Sequence, residues 1–113
     1  MTDLFAGIAV RDFDAALAWY GALFDGPPSF FPHDTEAVWQ IAESRLVYIV
    51  RSPEHAGHAM NLLFVDDLST RLAGLATRGL EPTRVETYEN DVRKAVFHDP
   101  DGNEFSFGGG AAE

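Results

Sequence analysis

Val10-Arg11-Asp12-Phe13 and Val65-Asp66-Asp67-Leu68 open two stretches of one design, 55 residues apart, and this repeat constrains the fold more than any single motif. Superposing Val10 on Val65 places Asp12 on Asp67, Phe13 on Leu68, Leu17 on Leu72 and Pro27 on Pro82. In each half an apolar run, Leu4 to Val10 or Met60 to Val65, reads as a buried strand, and the aspartate after it stands at a helix N-cap. Apolar residues then recur at helical spacing: Phe13, Ala16, Leu17, Tyr20, Leu23 and Phe24 in the first half, Leu68, Leu72 and Leu75 over Leu68 to Arg78 in the second. Asp25-Gly26-Pro27-Pro28 stops the first helix and Gly79 the second. Three strand patterns follow each helix: Ser29 to Pro32, Ala37 to Ala42 and Arg45 to Arg51, then a weak one at Pro82 to Glu86, Val92 to His98 and Glu104 to Phe107. Ser52 to Gly57 reads as the connector. Among these later strands the best offset is 58, which pairs Trp39 with Phe97 and Tyr48 with Ser106. The order strand, helix, three strands therefore occurs twice, and the bland alternative is a ferredoxin-like α+β sandwich.

Composition limits what such a chain does. At 113 residues and 46% apolar it carries enough hydrophobic side chains for one compact domain with a real core. Eight basic against eighteen acidic residues give a net charge of −10, with no concentrated basic patch, so a phosphate backbone is repelled and nucleic acid is not an expected partner. The absence of cysteine removes disulfides and thiolate chemistry. Met1-Thr2-Asp3-Leu4 lacks a basic leader pattern, and no apolar run approaches the roughly 20 residues of a membrane span. A cytoplasmic protein without membrane association is the expectation.

Near the C-terminus, Phe97-His98-Asp99-Pro100-Asp101-Gly102-Asn103-Glu104-Phe105-Ser106-Phe107 places two apolar strand patterns around a turn. Asp101-Gly102 suits a two-residue type I′ loop, which sets Phe97 across from Ser106. One face then carries Arg93, Ala95, Phe97 and Ser106, and the other Val96, Phe105 and Phe107. This turn resembles, almost letter for letter, the DPDGN signature of the vicinal oxygen chelate superfamily, which includes glyoxalase I, extradiol dioxygenases and bleomycin-resistance proteins. The likeness covers nearly the whole chain and implies an α+β fold of tandem βαβββ modules forming a curved, mostly antiparallel sheet. It divides residues 1–113, one domain, into module one at about 3–52 and module two at about 58–108.

In metal-dependent members of that superfamily one ligand comes from each first strand and one from each last strand. Carried over to this chain, those positions are Phe5 and Met60, Tyr48 and Ser106. None is His, Asp or Glu, so the resemblance brings no metal site with it, and no cofactor is expected. The same alternation fills the inner face with rings, making it an aromatic cup. Trp39 is expected to face Tyr48 across the Glu43-Ser44 turn and Phe97 to face Ser106, while Phe5, Gly7, Met60 and Leu62 come from the first strands. Arg93 would offer its donor fork from the wall. Taken singly, each ring is equally explained as core.

The histidines are weighed likewise. His55 and His58 fall in the Gly- and Pro-containing connector, an exposed loop rather than a metal site. His33, after Phe30-Phe31-Pro32, stands where it would close over the cup; His98 begins the hairpin turn as a rim residue. Asp66-Asp67 caps a helix, and Asp99 and Asp101 are turn chemistry. No nucleophile elbow or phosphate loop is present, and Gly108-Gly109-Gly110 reads as a frayed tail. The expectation is a metal-independent binding protein similar to the bleomycin-resistance branch, holding a small aromatic ligand or natural product in a cleft shared by a homodimer. The alternative is a lyase, isomerase or dioxygenase of the same superfamily.

Overall fold

In the computed structural model, residues 2–110 are described and fall into eight strands and two helices. Module one runs β1 (Leu4–Val10), α1 (Phe13–Phe24), β2 (Phe30–His33), β3 (Glu36–Ala42) and β4 (Arg45–Arg51). Module two repeats the order with β5 (Met60–Phe64), α2 (Leu68–Thr77), β6 (Arg84–Thr87), β7 (Arg93–His98) and β8 (Glu104–Gly109). Each module forms a four-stranded mixed sheet, ordered β1-β4-β3-β2 and β5-β8-β7-β6. The first and last strands of a module run parallel, because the helix carries the chain back across the sheet; the other pairings are antiparallel.

Local chemistry explains the helix boundaries. Asp12 accepts a hydrogen bond from the Ala15 backbone N–H, and Asp67 does the same for Thr70, so both repeat-defining aspartates are N-caps. Asp25 ends α1 in the left-handed region at φ 58°, and Gly79 follows α2 at φ +86°.

One continuous core joins the modules. Ile8, Val10, Trp39, Val47 and Ile49 from the first sheet meet Phe97, Phe105 and Phe107 from the second, with Tyr20, Leu23, Leu68 and Leu75 of the helices packed among them. Phe24 crosses the seam edge-on to Phe105 at 5.4 Å between ring centroids. Side chains of this size each contribute about 1.5–3 kcal/mol on burial. A polar clasp supports the same seam at the hairpin. Tyr20 donates to Asp99 at 2.8 Å, and Asn103 Nδ2 donates to the Ala9 carbonyl and to Asp99. Asn103 Oδ1 in turn accepts from the backbone of Gly57 and Ala59, so one side chain ties the turn to β1 and to the connector. Burial and the neighbouring Asp99 push the Tyr20 phenol far above its usual range.

Two expectations about the hairpins are corrected. At the second, Phe97 pairs with Phe105 and Val96 with Ser106, one residue away from the expected register. The loop is Pro100-Asp101-Gly102 rather than Asp101-Gly102. Proline supplies the first central residue of an ordinary turn, Gly102 N–H closes onto the Asp99 carbonyl, and only Gly102 takes positive φ, at +93°. Asp99 holds the arrangement by accepting from the backbone of Asp101 and Asn103. At the first hairpin Ala42 pairs with Arg45 as the turn suggests, but an irregularity between Gln40 and Ala42 shifts the ladder, so Trp39 pairs with Val47 and Val38 with Tyr48. Gly108 and Gly109 are also not a tail: they pair with Lys94 and Arg93, and a Cβ on Gly109 would lie 2.6 Å from that of Leu68.

Candidate functional site

Strand alternation gives each sheet one face packed on the helices and one free of them. On the first sheet the free face carries Phe5 and Gly7 of β1, Tyr48 of β4, Val38 of β3 and Phe30 of β2. On the second it carries Met60, Leu62 and Phe64 of β5, Glu104 and Ser106 of β8, Lys94, Val96 and His98 of β7, and Arg84 and Glu86 of β6. These faces hold most of the exposed large apolar side chains: Phe5 is 47% exposed, Met60 72%, Leu62 54% and Phe64 62%. Single exposed apolar residues are ordinary, whereas several on the same sheet faces form a sizeable uncovered apolar surface.

The one-residue register shifts redistribute the expected site. Phe5, Met60 and Leu62 stand exposed on the free faces with Tyr48 half-buried among them, Ser106 lies on the same face but is buried, and His33 lies at the outer end of β2, bonded to Glu36 at 2.8 Å. Trp39, Phe97 and Arg93 do not join them. Trp39 is buried against Tyr20 and Phe24, its indole N–H donating to the Gly26 carbonyl at 3.0 Å. Phe97 is buried edge-on to Phe107, and Arg93 points to the helix side, where its guanidinium donates to Ser69 at 3.3 Å. The physical reason is the same in each case: moving the register by one residue exchanges the two faces of a strand.

Phe5, Tyr48, Met60 and Ser106 do not fit a divalent metal. A phenyl ring, a phenol, a thioether and a neutral hydroxyl offer neither imidazole nor carboxylate donors. Among the described residues, no group of three or more His, Asp or Glu side chains converges elsewhere. His55 belongs to a 3₁₀ turn at Pro53–His55, and both it and His58 are exposed.

A polar network on the second free face was not anticipated from the strand pattern. Arg84 binds Glu86 at 2.7 Å and reaches Glu104 at 3.6 Å, and His98 Nε2 lies 3.5 Å from the same Glu104 oxygen. Thr83 Oγ1 is 2.8 Å from His98 Nδ1, and Tyr88 donates to Glu86. Hydrogen bonds from Tyr88 and then Arg84 hold the Glu86 carboxyl below its usual range. The available signal was charge at alternate positions, Arg84 and Glu86 on one strand and His98 facing Glu104 across a hairpin, which becomes readable only with the correct register.

Residues 4–107 match the model of the Glyoxalase/Bleomycin resistance protein/Dioxygenase superfamily. Among solved structures, a glyoxalase/bleomycin resistance protein from Catenulispora acidiphila DSM 44928 is 57% identical, over 96% of this chain and 98% of its own, with a TM-score of 0.94. A bleomycin-binding protein complexed with bleomycin is 20% identical over 100% of both chains, with a TM-score of 0.71. Lactoylglutathione lyase from Agrobacterium tumefaciens is 16% identical over 95% and 92%, with a TM-score of 0.73. The last two likenesses concern the fold alone. No curated protein matches the chain.

Proposed function

Because this chain belongs to the Glyoxalase/Bleomycin resistance protein/Dioxygenase superfamily, we propose that it is a metal-independent binding protein that sequesters a small aromatic or natural-product ligand in a cleft between two copies. The observation that carries the reading is the chemistry of the free faces. Where metal-dependent relatives would place four donors, this chain has Phe5 and Met60, both exposed, a half-buried Tyr48 and a buried Ser106, and the neighbouring Leu62 and Phe64 are apolar and exposed. Aromatic and thioether groups suit stacking and dispersion, not Lewis-acid chemistry. Half-cups with this much uncovered apolar surface favour closure by a second copy about a two-fold axis, giving two equivalent clefts. In such a role the protein acts in the cytoplasm, and capture of a toxic natural product would confer antibiotic resistance.

A second reading, a lyase, isomerase or dioxygenase, is favoured by the Thr83-His98-Glu104-Arg84 network, which puts proton-handling groups on the same face. Two measurements on purified protein separate the readings. Binding predicts saturable uptake of aromatic compounds that are recovered unchanged, with affinity reduced by Phe5→Ala and Leu62→Ala. Conversion of a bound compound that is abolished by His98→Ala or Glu104→Gln would replace sequestration with catalysis.

A further inference from the structure

Gly7 sits in the middle of β1, where a glycine weakens a strand and its φ lies outside the left-handed region that would require one. The reason for it stands on the next strand. Gly7 pairs with Tyr48, and a Cβ on Gly7 would lie 2.5 Å from both Cζ and Oη of that tyrosine and 2.9 Å from Cε1. Real Cβ atoms do not approach other atoms so closely. The Tyr48 side chain therefore leans sideways across β1, into the space an alanine methyl would fill, instead of standing off the sheet. Module two has a milder counterpart: Gly108 of β8 also lies outside the left-handed region, and a Cβ there would press on Phe64 Cδ1 at 3.1 Å and Leu62 Cδ1 at 3.4 Å, contacts that a small shift of those side chains would relieve.

Tyr48 differs from the other two tyrosines in its hydroxyl. Tyr20 and Tyr88 commit theirs to Asp99 and Glu86, whereas that of Tyr48 bonds none of the described residues. It is carried over β1, an outer strand whose far edge pairs with none of the described residues. We propose that Gly7 is a positioning residue whose missing side chain lays Tyr48 down as a stacking plate, and that the ligand is a planar aromatic molecule with a ring-carbonyl acceptor at its rim. The ring face takes the planar system and the hydroxyl at the strand edge donates to the acceptor. This inference rests on the cup described above and specifies what the cup selects.

The test compares two probes of nearly the same outline and charge, anthraquinone-2-sulfonate and anthracene-2-sulfonate, titrated into the full chain. Wild type is expected to bind both and to prefer the quinone. Tyr48→Phe keeps the plate and removes the donor, so it loses the preference, a change of about two- to tenfold for one hydrogen bond. Gly7→Ala displaces the ring and weakens both probes by about two- to tenfold, the ratio carried by one aromatic contact, with the melting temperature unchanged or raised. Tyr48→Leu removes the plate without touching β1; it is to give the same loss, and it decides the matter if Gly7→Ala does not fold. Should Phe5→Ala and Leu62→Ala weaken both probes while the Gly7 and Tyr48 variants bind as wild type, the plate is wrong and the cup stands. Binding to none of these surfaces, or no binding by wild type, would overturn the cup and the plate together.

Discussion

Tyr20→Phe removes one oxygen from the middle of the molecule. That oxygen donates at 2.8 Å to Asp99, a buried side chain that anchors the β7–β8 turn. Asp99 keeps its other donors, the backbone N–H groups of Asp101 and Asn103 and the Asn103 amide, so the loss is one charge-assisted hydrogen bond and not the whole clasp. Such a bond is worth about 1.5–3 kcal/mol, which in a chain of this length lowers the melting temperature by roughly 5–15 °C. Urea unfolding followed by circular dichroism should show a lower midpoint with an unchanged slope. The pH dependence is a second, independent signature. Tyr20 in the folded chain is pushed above its ordinary range, by burial first and by Asp99 second. Below about pH 10 the phenol is protonated in both states. Above that, the unfolded chain ionises while the folded chain retains its proton, so this part of wild-type stability declines as pH rises. The gap between wild type and Tyr20→Phe should narrow by up to about 1.4 kcal/mol per pH unit above pH 10. A variant within about 0.5 kcal/mol of wild type, the scatter of neutral substitutions, or a gap constant from pH 9 to 11, would mean that the Tyr20–Asp99 hydrogen bond does not stabilise the fold in this way.

Trp39→Ala should act through stability rather than ligand contact. Its ring is buried between Tyr20 and Phe24, so truncation costs about 3–5 kcal/mol, read by denaturant titration. Leu62→Asp places a charge on the free face of β5, where the side chain is already 54% exposed. It should leave each chain folded by circular dichroism and shift a dimer to monomer by light scattering; an unchanged dimer would mean that copies meet elsewhere.

How much of this was legible beforehand follows from where each signal is stored. The repeat, the two Asp caps and the alternation of strand and helix are local features, written in consecutive residues, and they led directly to the tandem βαβββ architecture. The assignment of side chains to faces is different, because it depends on register, and register depends on single residues in turns. At the first hairpin the Glu43-Ser44 turn gave the correct pairing of Ala42 with Arg45, and the irregularity beside Ile41 then moved every earlier residue by one. At the second, Pro100 converted an apparent two-residue loop into three. The 58-residue offset could not reveal the error, since it relates Trp39 to Phe97 and both changed faces together. A usable signal was nevertheless present: Phe105 and Phe107 alternate with Glu104 and Ser106, so placing the two phenylalanines toward the helices leaves the polar pair facing away. Phe5, Tyr48, Met60, Leu62 and Ser106 were assigned from the first and last strands, whose parallel pairing passes through no hairpin.

Native mass spectrometry of untagged protein, purified without chelator, reports assembly, metal and bound organic molecule in a single spectrum. A metal-independent binding dimer should give a dimer mass with far less than one equivalent of zinc, nickel, iron or manganese per chain, and an added mass for each aromatic ligand supplied, up to two per dimer. A monomer, or a stoichiometric metal ion that survives dialysis and disappears on substitution of His55 or His58, would contradict it.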